Sequence, residues 1–310
     1  MRSVLIFSLL IPSLLGGNFA AAQQKTVLPQ EMKGDPAPDT QQAGNYLRAG
    51  RYEDAIRQSK LALGRDERYV PAMVVLAKAY YYERKYELAT SIVDIAKSID
   101  QGNAECYNLL GFIALSHDDR ISATAAFRKA TELNPLYGNA WDNLAAQYLF
   151  AKNYDGALSA AERATELLPS FDKAWLNLGS AYRGKQQYAD ALAAYKKALQ
   201  INPSYSDAYF NLGILYLDAK TMPNTDTITK FNTAVNYFDQ YKTKAGYRLQ
   251  KDDPADTYIA EARTGADRER KRLERLQRQQ QRGEPKPAPS SSARPPATTA
   301  PRPSGKIEDK

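Results

Sequence analysis

Few residues in this chain of 310 could carry out chemistry. His117 is the one histidine, and Asp118 and Asp119 follow it directly. A histidine beside carboxylates can act as a general base or as a metal ligand. Here the three are consecutive at a turn, and turn chemistry explains Asp118–Asp119 better than metal chemistry does. Cys106 is the sole cysteine, so no internal disulfide or thiolate cluster can form. It reads as a small, half-buried residue on a helix. No Ser/His/Asp set, paired metal-ligand spacing or glycine-rich phosphate loop occurs. The expectation is a non-enzyme with no catalytic, cofactor-binding or metal-binding residues and no cofactor.

Behind these residues stands a strict period. Ala55, Ala89, Ala123, Ala157 and Ala191 are each 34 apart, and Ala62, Ala96, Ala130, Ala164 and Ala198 repeat the series seven positions on. Met73, Tyr107, Trp141, Trp175 and Tyr209 keep the same beat, as do Leu76, Leu110, Leu144, Leu178 and Leu212. A small residue follows each leucine: Ala77, Gly111, Ala145, Gly179 and Gly213. Tyr46, Tyr80, Tyr148, Tyr182 and Tyr216 form another series, broken by Ala114. Pro135, Pro169 and Pro203 end three successive units. A period of this size marks stacked two-helix units. Large residue, leucine, small residue and tyrosine share one face of a 3.6-residue helix, and the small position admits a close second helix.

The stretches AWDNLAAQYLFAKNYDGALSAAERATELLP (140–169) and AWLNLGSAYRGKQQYADALAAYKKALQINP (174–203) resemble tetratricopeptide repeats. Departures are Glu67 and Gln101 where proline is usual, and Ala161 in place of an aromatic. The resemblance implies an all-α fold: an α-solenoid, a right-handed superhelix of helix–turn–helix repeats, with a C-terminal capping helix and a disordered tail. It also implies a partner groove along the first helices. By register that groove includes Lys78, Tyr81, Tyr82, Asn108, Phe112, Leu115, Leu149, Phe150, Leu176, Arg183, Phe210 and Ile214. Asp142 and Ser180 fall on the same face. Relatives that bind chaperone tails use a basic clamp, and Leu176 and Phe210 stand where its lysines would be, which argues against carboxylate-tail recognition.

The organisation expected is a signal peptide over 1–22, a flexible segment over 23–35, and an array of about six units over 36–245. A capping and projecting charged helix follows at 253–282, then a disordered, Pro-rich, basic tail at 283–310. Arg2, the apolar run VLIFSLLIPSLL and the small residues Ala20–Ala22 read as a secretory leader cut after Ala22. No cysteine lies near that point, so a lipid anchor is not expected. The prolines near 36–38 suggest a shortened first helix. The last unit is interrupted near 217–228 by about nine extra residues around KTMPNTDTI, with its second helix resuming at 230–242. Asp253 and Pro254 start the next helix, whose stripe Tyr258, Ile259, Ala262 and Ala266 could seal the array. Asp267 with Lys271, and Glu274 with Arg278, would pair along it.

Charge is unevenly placed. Residues 1–262 hold 29 basic and 29 acidic residues, and residues 263–310 hold 13 and 6, which carries the whole excess of +7. The leading expectation is an exported, periplasmic scaffold that binds proteins of the cell envelope, with no nucleic acid and no transmembrane segment in the mature chain. The terminal block, with YFDQYK and DDPADTYIAEA, is similar to periplasmic repeat proteins of myxobacterial gliding-motility machinery. Two alternatives stand beside this: a basic end that binds an anionic polymer or surface, and a pilus or secretion assembly factor of pilotin type, which the missing lipobox cysteine disfavours.

Overall fold

The computed structural model describes residues 34–249 and 252–281. The proposed leader, most of the segment after it, and the tail lie outside the described residues. Within them the chain is helical: α1 Ala37–Arg48, α2 Tyr52–Arg65, α3 Val70–Tyr82, α4 Tyr86–Ile99, α5 Ala104–Ser116, α6 Arg120–Leu133, α7 Gly138–Phe150, α8 Tyr154–Leu167, α9 Asp172–Gly184, α10 Tyr188–Ile201, α11 Ser206–Asp218, α12 Thr227–Ala245 and α13 Ala255–Gln281. No strand forms among the described residues, and a short 3-10 turn at Gly246–Arg248 follows α12. The helices divide into two compact units, α1–α6 and α7–α13.

Two kinds of turn repeat through the array. Within each of the first five helix pairs, one residue enters the left-handed region: Gly50 (φ 71°), Arg84 (58°), Asp118 (57°), Lys152 (56°) and Gln186 (61°), each 34 from the last. That conformation stops one helix and aims the chain into the next. Only the first of the five is the glycine that the geometry favours. Between pairs, Asp66, Asp100, Asn134 and Asn202 accept a hydrogen bond on the side chain from the backbone N–H two residues on. These Asx turns hold the chain for re-entry into helix. Some helices then gain a side-chain cap: Asn103 accepts from Cys106 N, and Asn153 from Gly156 N.

With its prolines at the start, α1 has 12 residues, one fewer than the 13 of α3. Pro36 is its N-cap and Pro38 lies in the first turn, where a helix has no use for the missing N–H.

The alanine series make the close packing possible. All ten alanines of the two series are 0 % exposed. In each unit the second helices pack on the first helix of their own pair and on the next first helix, and first helices also touch in series: α1, α3 and α5 in one unit, α7, α9 and α11 in the other. Glycine sets the nearest approaches. A Cβ on Gly111 would lie 2.5 Å from the Phe127 ring, on Gly179 2.5 Å from Tyr195, and on Gly213 2.7 Å from Phe238. Phe127, Tyr195 and Phe238 are fully buried. At the same register Ala145 faces a helix carrying Ala161 rather than an aromatic, so the departure from the family pattern at Ala161 accompanies a larger first-helix residue.

The interrupted pair uses its extra residues in two ways. Elsewhere three residues join the helices of a pair, whereas eight, 219–226, join α11 to α12. The remaining extra residues lengthen α12, which begins at Thr227 rather than at 230 and ends at Ala245. Asp226 caps it by accepting from Thr229 N at 2.9 Å. The connection is packed: Met222 is 5 % exposed within the core, and buried Lys230 donates from Nζ to the Ala219 carbonyl at 2.6 Å. α13 then packs on α11 and α12, taking the place of a next first helix. Asp253 accepts from Ala255 N, and Ile259, Ala262 and Ala266 are buried. Past Ala266, α13 is mainly exposed. Asp267 pairs with Arg270 there, one residue nearer than the expected Lys271, while Glu274 meets Arg278 at 3.9 Å.

Candidate functional site

The first helices carry the candidate surface, and their neighbours decide what each side chain offers. In the α1–α6 unit, Tyr82 ends α3 and is 54 % exposed, with its ring stacked on Tyr52 at 5.2 Å. Tyr81 touches Tyr82 edge-on at 5.4 Å and Phe112 at 6.1 Å. Phe112 leans on buried Phe127 at 5.4 Å. Lys78 is half-buried and reaches Glu105 of the next first helix at 2.6 Å. Leu115 is half-buried. Asn108 is 6 % exposed, so it offers almost no surface, which corrects its expected place in the groove.

In the α7–α13 unit, Phe150 is 62 % exposed and Leu149 half-buried beside it. Leu176 and Ile214 pack partly into the core. Phe210 is enclosed by rings: Tyr241 at 5.0 Å, Phe238 at 5.6 Å and Tyr258 of α13 at 5.9 Å. Its aromatic surface is therefore engaged by the last helix, which the sequence pattern alone did not place there. Arg183 meets Asp218 across α9 and α11 at 2.7 Å. Lys78 and Arg183 thus tie neighbouring first helices together as well as facing outward.

Several recurring interactions escaped the sequence reading. Trp141 Nε1 donates to the Pro135 carbonyl at 3.0 Å, Trp175 Nε1 to Pro169 at 2.9 Å, and the Tyr209 hydroxyl to Pro203 at 3.1 Å. The shared spacing of aromatic and proline was the available signal. Asp142 is 2 % exposed, with Lys173 at 3.4 Å and Asn177 Nδ2 donating to Oδ1 at 2.7 Å. Burial raises its pKa above the ordinary carboxylate value, opposed by Lys173 and Asn177. Asp142 therefore lies beneath the groove face.

The residues weighed for chemistry are separated. Cys106 is fully buried rather than half-buried, and burial pushes its thiol up to about 11, so the neutral, unreactive form prevails. His117 is exposed at the end of α5, edge-on to Tyr86 at 5.6 Å. Among the described residues no three His, Cys, Asp or Glu side chains are grouped to hold a metal ion.

Comparison with known proteins agrees with this helix pattern. Family profiles described as TPR repeat and tetratricopeptide repeat match residues 179–219 and 104–135. The chain carries tetratricopeptide repeats. Solved structures share the tetratricopeptide fold. PilF of Pseudomonas aeruginosa matches at a TM-score of 0.59 and 19% identity, over 74% of this chain and 97% of its own. PilW, described as a widely conserved type IV pilus biogenesis factor, matches at 0.56 and 22% identity, over 70% and 95%. The Cut9–Hcn1 tetramer of the APC/C contributes a chain at 0.61 and 17% identity, over 74% of this chain and 43% of that one. At these identities the likeness concerns the fold. No curated protein sequence matches the chain.

Proposed function

We propose that the protein is a non-catalytic scaffold that binds partner proteins of the cell envelope along its first-helix face. The observation that carries this is the exposure of large aromatics at the ends of first helices, Tyr82 at 54 % and Phe150 at 62 %. Such side chains are common anchors in protein interfaces. A surface built on packed helices is arranged on folding, which lowers the entropy cost of binding. The apolar run after Arg2 and the small residues Ala20–Ala22 support export with cleavage after Ala22. Among the described residues no helix is long and apolar enough to cross a membrane. Membership of a gliding-motility assembly is the narrower reading, and it rests on the α12–α13 block alone.

Photocrosslinking tests the face. A crosslinkable residue at Tyr82 or Leu149 is expected to capture a defined envelope protein in the cell, while one at Ile95 or Asn236 on second helices is not. Equal capture from both sets, or capture only from the second helices, refutes the first-helix assignment.

A second reading is supported by α13, which past Ala266 presents Arg268, Arg270, Lys271, Arg272, Arg275 and Arg278 to solvent. Binding of an anionic polymer there should weaken steeply with salt, because screening lengths fall to about 8 Å at physiological ionic strength. Salt-insensitive binding would exclude it.

A further inference from the structure

The seam by which α13 caps the array continues past the cap. Ala255, Ile259, Ala262 and Ala266 recur at alternating steps of four and three residues, and all four are buried. Such steps keep residues on one face of a helix, and they are the steps by which one helix packs along another. The alternation runs on without a break through Glu269, Leu273, Leu276 and Gln280. There the seam is open: Leu273 and Leu276 are each 39 % exposed, and Gln280 is exposed. Glu269 is held by Arg272, which donates from Nε at 2.8 Å and from a terminal nitrogen at 2.6 Å.

This open half reads alike in both directions. Polar, leucine, leucine, polar at steps of four, three and four is symmetric about a midpoint between Glu274 and Arg275. An antiparallel copy of the helix therefore sets Leu273 against the second copy's Leu276. It also sets Glu269 against the second copy's Gln280, whose amide can donate to a carboxylate with acceptor positions left over. Arg270 and Arg272 flank the leucines, and antiparallel overlap brings them beside Gln279 and Gln277 rather than beside each other. A parallel copy would instead set Glu269 against Glu269. The length also fits. Residues 267–281 run about 22 Å beyond the cap, so the overlap leaves the α11–α12 pairs of the two copies at opposite ends. A flat surface fits less well, because the first half of this face already lies against α11 and α12.

We propose that two copies of this chain associate through residues 269–280 of α13, paired antiparallel about a two-fold axis between Glu274 and Arg275. An isologous contact of this kind closes on itself, so it makes a dimer and not a filament. It stands apart from the question of which surface binds outside proteins. Its small area places it among weak, transient contacts. Six cations against three anions give residues 267–281 a net charge of +3. The copies therefore repel at a distance, and the association tightens as salt screens them. Binding of an anionic ligand to the same helix has the opposite salt dependence.

The test is sedimentation equilibrium of the full chain across concentration and salt. A monomer–dimer equilibrium that strengthens with salt is expected. Leu273→Ala with Leu276→Ala should weaken it by about tenfold or more, since apolar surface leaves both sides of the seam. Melting temperatures confirm that this exposed-site variant folds. Orientation is read by disulfide formation: a Glu269→Cys chain mixed with a Gln280→Cys chain should crosslink, and either alone should not. Native Cys106 is fully buried and does not compete. A monomer at every concentration, a dimer indifferent to the two leucines, a dimer that weakens with salt, or crosslinking of Glu269→Cys to itself each overturns the proposal. If the chain stays monomeric and an acidic helical peptide or anionic vesicles bind through Leu273 and Leu276, the seam belongs to that occupant and the dimer falls.

Discussion

Asp142 shows what one side chain does to the array. Its carboxylate is buried with only Lys173 and Asn177 for compensation, and its pKa is raised. A raised pKa means that the folded protein binds a proton more readily than the unfolded chain. Stability from this group is therefore present at low pH and lost as pH rises through the folded pKa. Asp142→Asn keeps an acceptor for Asn177 and removes the buried charge. It is expected to melt at a higher temperature than the parent at neutral pH. The difference should vanish as pH falls below the ordinary carboxylate value near 3.8. Thermal unfolding followed by circular dichroism across that range checks this, and a lower melting temperature at neutral pH would show that the Lys173 pair outweighs burial.

Between helices, the deciding quantity is the space left at the small position after each leucine. Gly213 leaves none to spare: a Cβ would sit 2.7 Å from the Phe238 ring. Gly213→Ala is expected to cost about 1–3 kcal/mol through overpacking. Phe238→Leu in the same chain should recover part of that loss, because the two residues share one contact and their effects do not add. Denaturant unfolding of both single variants and the double variant measures the coupling. Additive losses would mean that the helices separate rather than press on one another. Much of this was legible in advance. The leucine, small and tyrosine series identified the contact face of each first helix. The left-handed turn residues were not legible, since Arg84, Asp118, Lys152 and Gln186 have nothing in common as residue types. Their φ is imposed by helices on either side, at a cost of about 1–2 kcal/mol each that packing must exceed.

For the whole molecule, the question is how a repeat array ends. Within a unit each helix pair buries its face against the next, and the last one needs a cover. α13 supplies it through Tyr258, Ile259, Ala262 and Ala266, closing over Phe210, Phe231 and Phe238. A chain ending at Ala266 should keep the parent melting temperature within a degree or two, because residues 267–281 are mostly exposed. A chain ending at Asp252 should lose several degrees and bind a hydrophobic dye, because the cover is gone. Equal melting of the two truncated chains would remove α13 from any capping role. The outer face of α12 is polar, with Asn232, Asn236, Asp239 and Gln240 beside Arg263 of α13 around an open hollow of about 450 Å³. A face of that character does not invite another repeat.

Sequence alone determined the repeat, the helix-pair architecture and the positions that must be small. Each of these follows from residue periodicity, which local geometry converts directly into a helix face. It also flagged the extra residues in the last pair, since an insertion breaks the register wherever it falls. Only the tertiary structure decided which first-helix residues remain available. Asn108 and Asp142 are buried, Phe210 is enclosed by Tyr241, Phe238 and Tyr258, and Lys78 and Arg183 are committed to the next helix, whereas Tyr82 and Phe150 are more than half exposed. Register assigns a residue to a face of its own helix. Whether that face meets water depends on the neighbouring helices, whose approach is set by side chains distant in sequence.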